Sequence, residues 1–89
     1  MSSTILERVI QIEPVAVQVL VDADRMIHIT LHDDRVISFP AHKFTRLRSA
    51  SLAQLTKVRI RTQGTALRWD ELDEDLPVRG IVYGIFEED

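Results

Sequence analysis

The sequence predicts an α+β fold: a mainly antiparallel sheet of about five strands, with short helices packed on one face and a short C-terminal helix. Apolar and polar residues alternate through residues 15–39, which is the spacing of half-buried strands. The turns between these strands are too short for a parallel crossover. After Pro40 the apolar spacing becomes helical. A chain of 89 residues, 45% of them hydrophobic, is expected to form a single domain, residues 1–89.

Three strands are predicted in the first half of the chain. Valines at every second position of residues 15–21 give the first strand one β-branched face. Residues 27–31 form the second strand, and residues 35–39 form the third, which ends at Pro40. The turns between them contain aspartates, whose side chains bond nearby backbone groups, so we expect an antiparallel meander. Residues 4–12 fit either an additional edge strand or a short amphipathic lead-in.

The second half of the chain is predicted to begin with helix and then to return to strands. Apolar spacing in residues 44–55 indicates helix, and Ser49 or Ser51 could divide it by capping a second short helix. Residues 57–61 alternate basic and apolar side chains, which predicts a fourth strand with a basic outer face. Residues 65–69 predict a fifth strand after a glycine-containing turn.

Charge is unevenly distributed, although the net charge is only -3. Residues 43–68, the basic block, carry seven basic side chains and no acidic one, whereas residues 69–89, the acidic block, carry eight acidic side chains and one basic one. This segregation lets neighbouring elements neutralise each other, and it also allows a charged binding surface. Neutralisation is the favoured interpretation. If the surface binds a partner instead, Arg59 and Arg61 of the fourth strand are the candidate residues.

The acidic block contains the most distinctive segment of the sequence. Its apolar residues are expected to anchor it to the core: Trp69, Leu72 and Leu76. Asp75 is the candidate N-cap of a final helix over residues 76–83, and Gly84 is the candidate residue that ends it. Asp73 and Glu74 have no such local role in this interpretation, so we expect them to form an acidic edge for a basic partner.

The basic block also raises the alternative of nucleic-acid binding. However, the sequence pI is 5.5, and no aromatic side chain alternates with the strand arginines to form a stacking platform. A solvated edge strand whose charges oppose aggregation explains the pattern better. We therefore expect that nucleic acid is not the ligand. Nucleic-acid binding through residues 43–68 is kept as the alternative function.

The sequence also argues against catalysis and against metal binding. The absence of cysteine excludes a disulfide framework, a thiol nucleophile and a cysteine zinc site. His28 and His32 are four residues apart, roughly 13 Å along a strand, which is too far to share one metal ion. No nucleophile turn and no glycine-rich phosphate loop are present. We expect a protein that is not an enzyme, with no catalytic residue, no metal and no cofactor.

Location and membrane association follow from the distribution of apolar residues. The longest uncharged stretches are far shorter than the roughly 20 residues that cross a bilayer. Glu7 and Arg8 interrupt the apolar run that a secretion signal would need. We therefore expect a cytoplasmic protein with no membrane contact.

The sequence resembles a known family, and the most specific part of the resemblance lies in the acidic block. The pattern begins with Val-Ile-Ser-Phe-Pro at residues 36–40 and ends with a C-terminal signature made of Trp69, Leu72, Asp73, Glu74, Asp75, Val78, Gly80 and Gly84. Over residues 15–84 the chain resembles the small bacterial family called domain of unknown function 2442. It departs from that family in having Asp33-Asp34-Arg35 where an Asp-Gly-Arg turn is usual.

The resemblance implies an α+β domain without established catalytic activity or known cofactor. Family members resemble the antitoxin half of small two-gene modules, which implies a non-enzymatic protein-binding module, antitoxin-like or regulatory. The expected partner is then a protein, such as a small toxin-like protein, and a weak homo-oligomer is the other assembly left open. The expected structural residues of the signature are Trp69, Leu72, Asp75 and Gly80.

Overall fold

The computed structural model describes residues 13–88, so the two alternatives for residues 4–12 lie outside the described part of the chain. Strands, short α-helices and 3₁₀ helices follow one another along it. In chain order they are β1 (Ala16–Val21), β2 (Met26–Leu31), β3 (Val36–Pro40), a 3₁₀ helix (Ala41–Lys43), α1 (Thr45–Arg48), α2 (Leu52–Leu55), β4 (Arg59–Arg61), a second 3₁₀ helix (Thr62–Gly64), β5 (Ala66–Trp69), β6 (Glu74–Pro77) and α3 (Val78–Val82).

The described strands form two three-stranded antiparallel sheets, in the orders β1-β2-β3 and β4-β5-β6. The α+β class is confirmed, but the prediction of one sheet is wrong. The difference arises because β4 and β5 pair with each other and not with the described strands of the meander, and because they are joined by a strand that the prediction lacked, β6. Its sequence Glu-Asp-Leu-Pro is poor in strand-forming residues, so local pattern does not reveal it. Pairing holds it in place, because Leu76 lies opposite Leu67 and Asp75 lies opposite Arg68.

The first sheet is the predicted meander, with one correction in β1. Ile27 and Ile29 of β2 are fully buried at its centre. The register of β1 shifts between Ala16 and Gln18, which is a β-bulge. As a result Ala16 is buried and Val17 is 59% exposed, so the prediction that all the valines of β1 share one face is wrong. The later valines of the strand do pack against the core.

The two short helices after β3 are held at their ends by side chains. Ser51 caps α2 in a capping box, because its hydroxyl accepts from the Gln54 amide and the Gln54 side chain accepts from the Ser51 amide. This confirms a capped second helix. At the C-terminal end of α1, the Arg25 guanidinium donates to the backbone carbonyl of Leu47 at 3.1 Å. It also donates to the carbonyl of Ala50, just beyond the helix, at 2.8 Å. The turn between β1 and β2 is thereby fastened to the helices.

Trp69 lies at the centre of the core, as predicted, with 1% of its surface exposed. Its indole Nε1 donates to the Leu55 carbonyl at 3.0 Å, which joins β5 to α2. Gly64 packs directly against the backbone of Ala16 at the start of β1. It has φ +92°, and a Cβ there would lie 2.7 Å from the carbonyl oxygen of Ala16. Only glycine fits this position without displacing backbone.

The last helix begins later than predicted, and its cap differs. The N-cap of α3 is Pro77, and no side chain caps it. The prediction that Asp75 caps the helix is wrong, because Asp75 lies within β6 and its carboxylate binds Arg68. The predicted end at Gly84 is confirmed: Gly84 has φ +74°, its amide donates to Ile81, and the next amide donates to Gly80, which is a Schellman motif. None of the described helices is long and apolar enough to cross a membrane.

Candidate functional site

The outer face of the second sheet carries a connected group of opposite charges. The register aligns Arg59, Arg68 and Asp75 across the three strands. The Nε atoms of Arg59 and Arg68 donate to the two carboxylate oxygens of Asp70, at 2.7 and 3.0 Å. Arg68 also donates to Asp73 at 3.0 Å and to Asp75 at 2.6 Å. One guanidinium therefore joins three carboxylates.

A further pair, Lys57 and Glu71 at 2.6 Å, extends this surface. We call the whole set the charge cluster: Lys57, Arg59, Arg68, Asp70, Glu71, Asp73 and Asp75. Hydrogen bonds from Arg59 and then Arg68 lower the pKa of Asp70 to about 2. Bonds to Asp73 and Asp70 raise the pKa of Arg68, and the bond from Lys57 lowers the pKa of Glu71. The basic and acidic blocks thus neutralise each other here, as the charge pattern predicted.

The structure separates the four residues that the sequence suggested for partner binding. Arg59 and Asp73 belong to the charge cluster. Arg61 lies exposed at the end of β4 and forms no ion pair with a described residue. Glu74 follows Asp73 in sequence and lies in β6, opposite Trp69 of β5. Its side chain therefore projects from the face of the sheet that does not carry the charge cluster. The predicted acidic edge of Asp73 and Glu74 is therefore divided between two surfaces.

A groove of about 270 Å³ lies on the side of β6 that Glu74 faces. It is bounded by β6, α3 and the C-terminal segment of residues 85–88. Its apolar walls come from Phe44, Leu76, Pro77, Ile81, Ile85 and Phe86, and three acidic residues also line it: Glu74, Asp75 and Glu87. Ile85 is 68% exposed, the largest fraction among the exposed large apolar side chains described. Gly80 lies on α3 at the groove wall. Leu72 lies in the turn before β6 and packs against the core.

Glu74 differs from the other carboxylates of its segment. It is half-buried, and within the described chain its carboxylate forms neither an ion pair nor a hydrogen bond with another side chain. Burial, and then the nearby charge of Glu87, raise the pKa of Glu74. The closest basic influence is Arg46, whose guanidinium donates to the carbonyls of Leu72 and Asp73. The groove therefore holds a destabilised negative charge beside an apolar wall.

The C-terminal segment that completes the groove is firmly attached to the domain. Phe86 packs on Phe39 and Phe44, with ring centroids 6.1 and 5.7 Å away. The amide of Thr45 at the start of α1 donates to the Glu87 carboxylate at 2.7 Å, and the Glu88 carboxylate binds Arg48 at 2.9 Å. Sequence reasoning placed the end of the motif at Gly84 and missed this segment. The available signal was Phe86, an aromatic residue followed directly by acids.

A hydrogen-bonded relay lies on the outer face of the first sheet. His28 contacts the Ser38 hydroxyl through Nδ1 at 2.6 Å and the Asp22 carboxylate through Nε2 at 2.9 Å. The bond with His28 lowers the pKa of Asp22. Cross-strand pairing of His28 with Ser38 brings the three residues together, which spacing along the chain does not reveal. Acyl transfer also needs a substrate pocket and oxyanion donors, and neither cavity described for this chain includes Ser38.

The structure offers two further observations on ligand sites. In the part of the chain that is described, no group of three or more histidine, aspartate or glutamate side chains is arranged to hold a metal ion. A second cavity, of about 500 Å³, also borders β6. Its lining includes Glu13, Thr62 and Thr65 together with the strand itself.

These features define a small α+β module in which one charged sheet face is internally neutralised and a neighbouring groove carries carboxylates that form no ion pair with a described residue. The chain belongs to the family described as protein of unknown function (DUF2442), whose model matches residues 16–87. The match confirms the family that the C-terminal signature indicated. Comparison with curated proteins gave no match.

Two solved bacterial structures share the fold. A protein of unknown function from Rhodospirillum rubrum, known from a crystal structure, is 34% identical over 84% of this chain and 92% of its own, with a TM-score of 0.79. An uncharacterized protein from Chromobacterium violaceum, solved by NMR, is 21% identical over 94% of this chain and 78% of its own, with a TM-score of 0.73. The second likeness concerns the fold alone.

Proposed function

We propose that the protein is a non-enzymatic, cytoplasmic protein-binding module, antitoxin-like or regulatory, which binds its partner at the groove beside β6. The observation that carries this proposal is the groove itself, an open apolar surface next to a carboxylate that forms no ion pair among residues 13–88. Soluble domains expose few apolar patches of this kind outside interaction sites. Family resemblance supports the antitoxin-like role.

The edge of the second sheet supports binding of an extended partner segment. β6 is an edge strand. Because the Val78 amide bonds to Thr65, alternation along the ladder directs the amide and carbonyl of Leu76 toward β5 and those of Asp75 away from it. A partner strand could therefore exchange two backbone bonds with Asp75, while its side chains reach the groove.

The charge cluster argues for this function over nucleic-acid binding. Of the bases that would face a phosphate backbone from this sheet, Lys57, Arg59 and Arg68 are each bound to a carboxylate of the same chain, and Arg61 is not bound to a described carboxylate. A phosphate would have to displace those carboxylates, which lowers the gain from counterion release. Binding through the basic block remains the rival outcome of the experiment.

The proposal can be tested by affinity capture from the cells that encode the protein, at low and moderate salt, followed by mass spectrometry. The matched variants are Ile85→Gln in the groove and Val36→Gln on the outer face of the first sheet, since both side chains are more than half exposed. We expect wild type and Val36→Gln to retain one specific protein, and Ile85→Gln to lose it. Equal capture by all three proteins, or capture of nucleic acid that is lost in Arg59→Gln, would contradict the proposal.

A further inference from the structure

The groove combines two features that together select the chemistry of its occupant. Its walls are aliphatic and aromatic, and Ile85 and Pro77 are exposed on its rim. Glu74 and Glu87 both line it, and the charge of Glu87 opposes ionisation of Glu74. An occupant that is only apolar would bury these carboxylates further and leave their repulsion in place. A cation would relieve it.

Two basic side chains lie near the groove, and among the described contacts neither forms an ion pair with Glu74 or Glu87. Arg46 donates to two backbone carbonyls and lies 4.0 Å from the carboxylate of Asp73. The ammonium group of Lys43 lies 6.0 Å from the centre of the Phe86 ring, and among the described contacts it forms no ion pair with Glu74 or Glu87. Within the described chain, neither Glu74 nor Glu87 therefore has a basic side chain bound to its carboxylate.

We infer that the groove receives a lysine or arginine side chain of a partner protein, with an aliphatic residue of the same extended segment on its apolar wall. This inference rests on the proposed function and specifies the chemistry of the partner. The methylene stem of the basic side chain would cover Pro77 and Ile81, and its charged head would reach Glu74 and Glu87. A guanidinium suits the site well because it can donate to both carboxylates at once.

The test uses two blocked dipeptides that differ only in charge. Acetyl-Ile-Arg-amide is the probe, and acetyl-Ile-citrulline-amide is its neutral isostere. Each is titrated into the ¹⁵N-labelled full chain, and amide shifts are followed by NMR. The protein variants are Glu74→Gln and, as a matched control, the neighbouring change Asp73→Asn, which lies in the charge cluster on the other face.

We expect the arginine peptide to bind wild type with a Kd of about 1 mM and to shift amides around the groove. The citrulline peptide should bind about fivefold more weakly, which corresponds to one partly exposed ion pair. In Glu74→Gln the difference between the two peptides should shrink severalfold, while in Asp73→Asn it should persist. Overlaid spectra of the free variants establish that both are folded.

Three outcomes would overturn the inference. They are equal affinity of the two peptides for wild type, shifts centred on the charge cluster instead of the groove, and no binding of either peptide up to about 10 mM. The proposed function is judged separately. If the partner is captured by wild type and lost in Ile85→Gln while the peptides bind equally, the module binds a protein here, but not through a cationic side chain.

Discussion

Asp75 and Glu74 are neighbours in β6, yet they lie in opposite electrostatic environments. Asp75 projects from the outer face, where Arg68 binds it at 2.6 Å together with Asp70 and Asp73. Glu74 projects toward the groove, where burial and Glu87 raise its pKa. The alternation of side chains along one strand produces this contrast. The carboxylates bound to Arg68 contribute to the fold, whereas Glu74, whose carboxylate forms no ion pair with a described residue, remains available to a ligand.

The largest expected effect is on the free energy of unfolding, when the core side chain beneath the charge cluster and the groove is removed. Trp69 lies opposite Glu74 in the sheet and is buried beneath it. Trp69→Ala should lower the free energy of unfolding by about 3–5 kcal/mol, enough to unfold most of a small domain. Chemical denaturation followed by circular dichroism measures this. Trp69→Phe is the control, because it keeps an aromatic ring but loses the hydrogen bond to the Leu55 carbonyl. It should lower the free energy of unfolding by less than Trp69→Ala does. A nearly unchanged midpoint for Trp69→Ala would show that the second sheet does not depend on it.

A smaller effect is expected when the charge cluster alone is broken. Arg68→Met keeps the apolar stem but leaves Asp70, Asp73 and Asp75 close together without their shared guanidinium. Thermal stability should fall, and the loss should shrink as salt is raised from 50 mM toward about 1 M, because salt screens repulsion between exposed carboxylates. Peptide binding at the groove should persist. A variant as stable as wild type at low salt would mean that the cluster is only a solvated surface.

The two environments also predict opposite responses to acid. The pKa of Asp70 is about 2, below its ordinary value of 3.8, so its stabilising effect is complete above pH 3.8 and is lost as the pH falls toward 2. The pKa of Glu74 is raised, so protonating it on acidification favours the folded state. Thermal melts between about pH 2 and 6 should show a weaker acid loss in Asp70→Asn than in wild type. An unchanged acid limb in that variant would contradict the role given to Asp70.

The smallest expected effect on stability is at Glu74. Glu74→Gln removes a charge that Glu87 opposes, so the free energy of unfolding at neutral pH should stay within about 0.5 kcal/mol of wild type and should not fall. Asp73→Asn provides the comparison, because it removes a carboxylate bound to Arg68 and is expected to lower stability slightly. Urea unfolding of the two variants under one set of conditions decides this. A clear loss at Glu74 and none at Asp73 would reverse their roles.

Local signals predicted much of this molecule. The strands and acid-containing turns of the meander, the Ser51 cap and the Gly84 terminus follow from spacing and turn chemistry. Neutralisation between the basic and acidic blocks also followed from composition. Features that depend on partners distant in sequence were missed, because pairing creates them. β6 exists through Leu67 and Arg68 opposite it.

The groove was missed for the same reason. Its walls come from residues 44, 74–77, 80–81 and 85–87, which only the fold brings together. The sequence did select Glu74, but as one half of an acidic edge with Asp73. The alternation of β6, which divides that edge between two faces, could not be predicted while the segment was interpreted as a helix cap.

The central claim is that the charge cluster is neutralised within the chain and that Glu74 is not. Carboxyl ¹³C NMR titration of the labelled protein measures every aspartate and glutamate pKa in one experiment. The account predicts a pKa of about 2 for Asp70 and a pKa above the ordinary 4.5 for Glu74, and it predicts that the arginine dipeptide lowers the second value and leaves the first unchanged. A Glu74 pKa at or below 4.5, or an Asp70 pKa near 3.8, would contradict it.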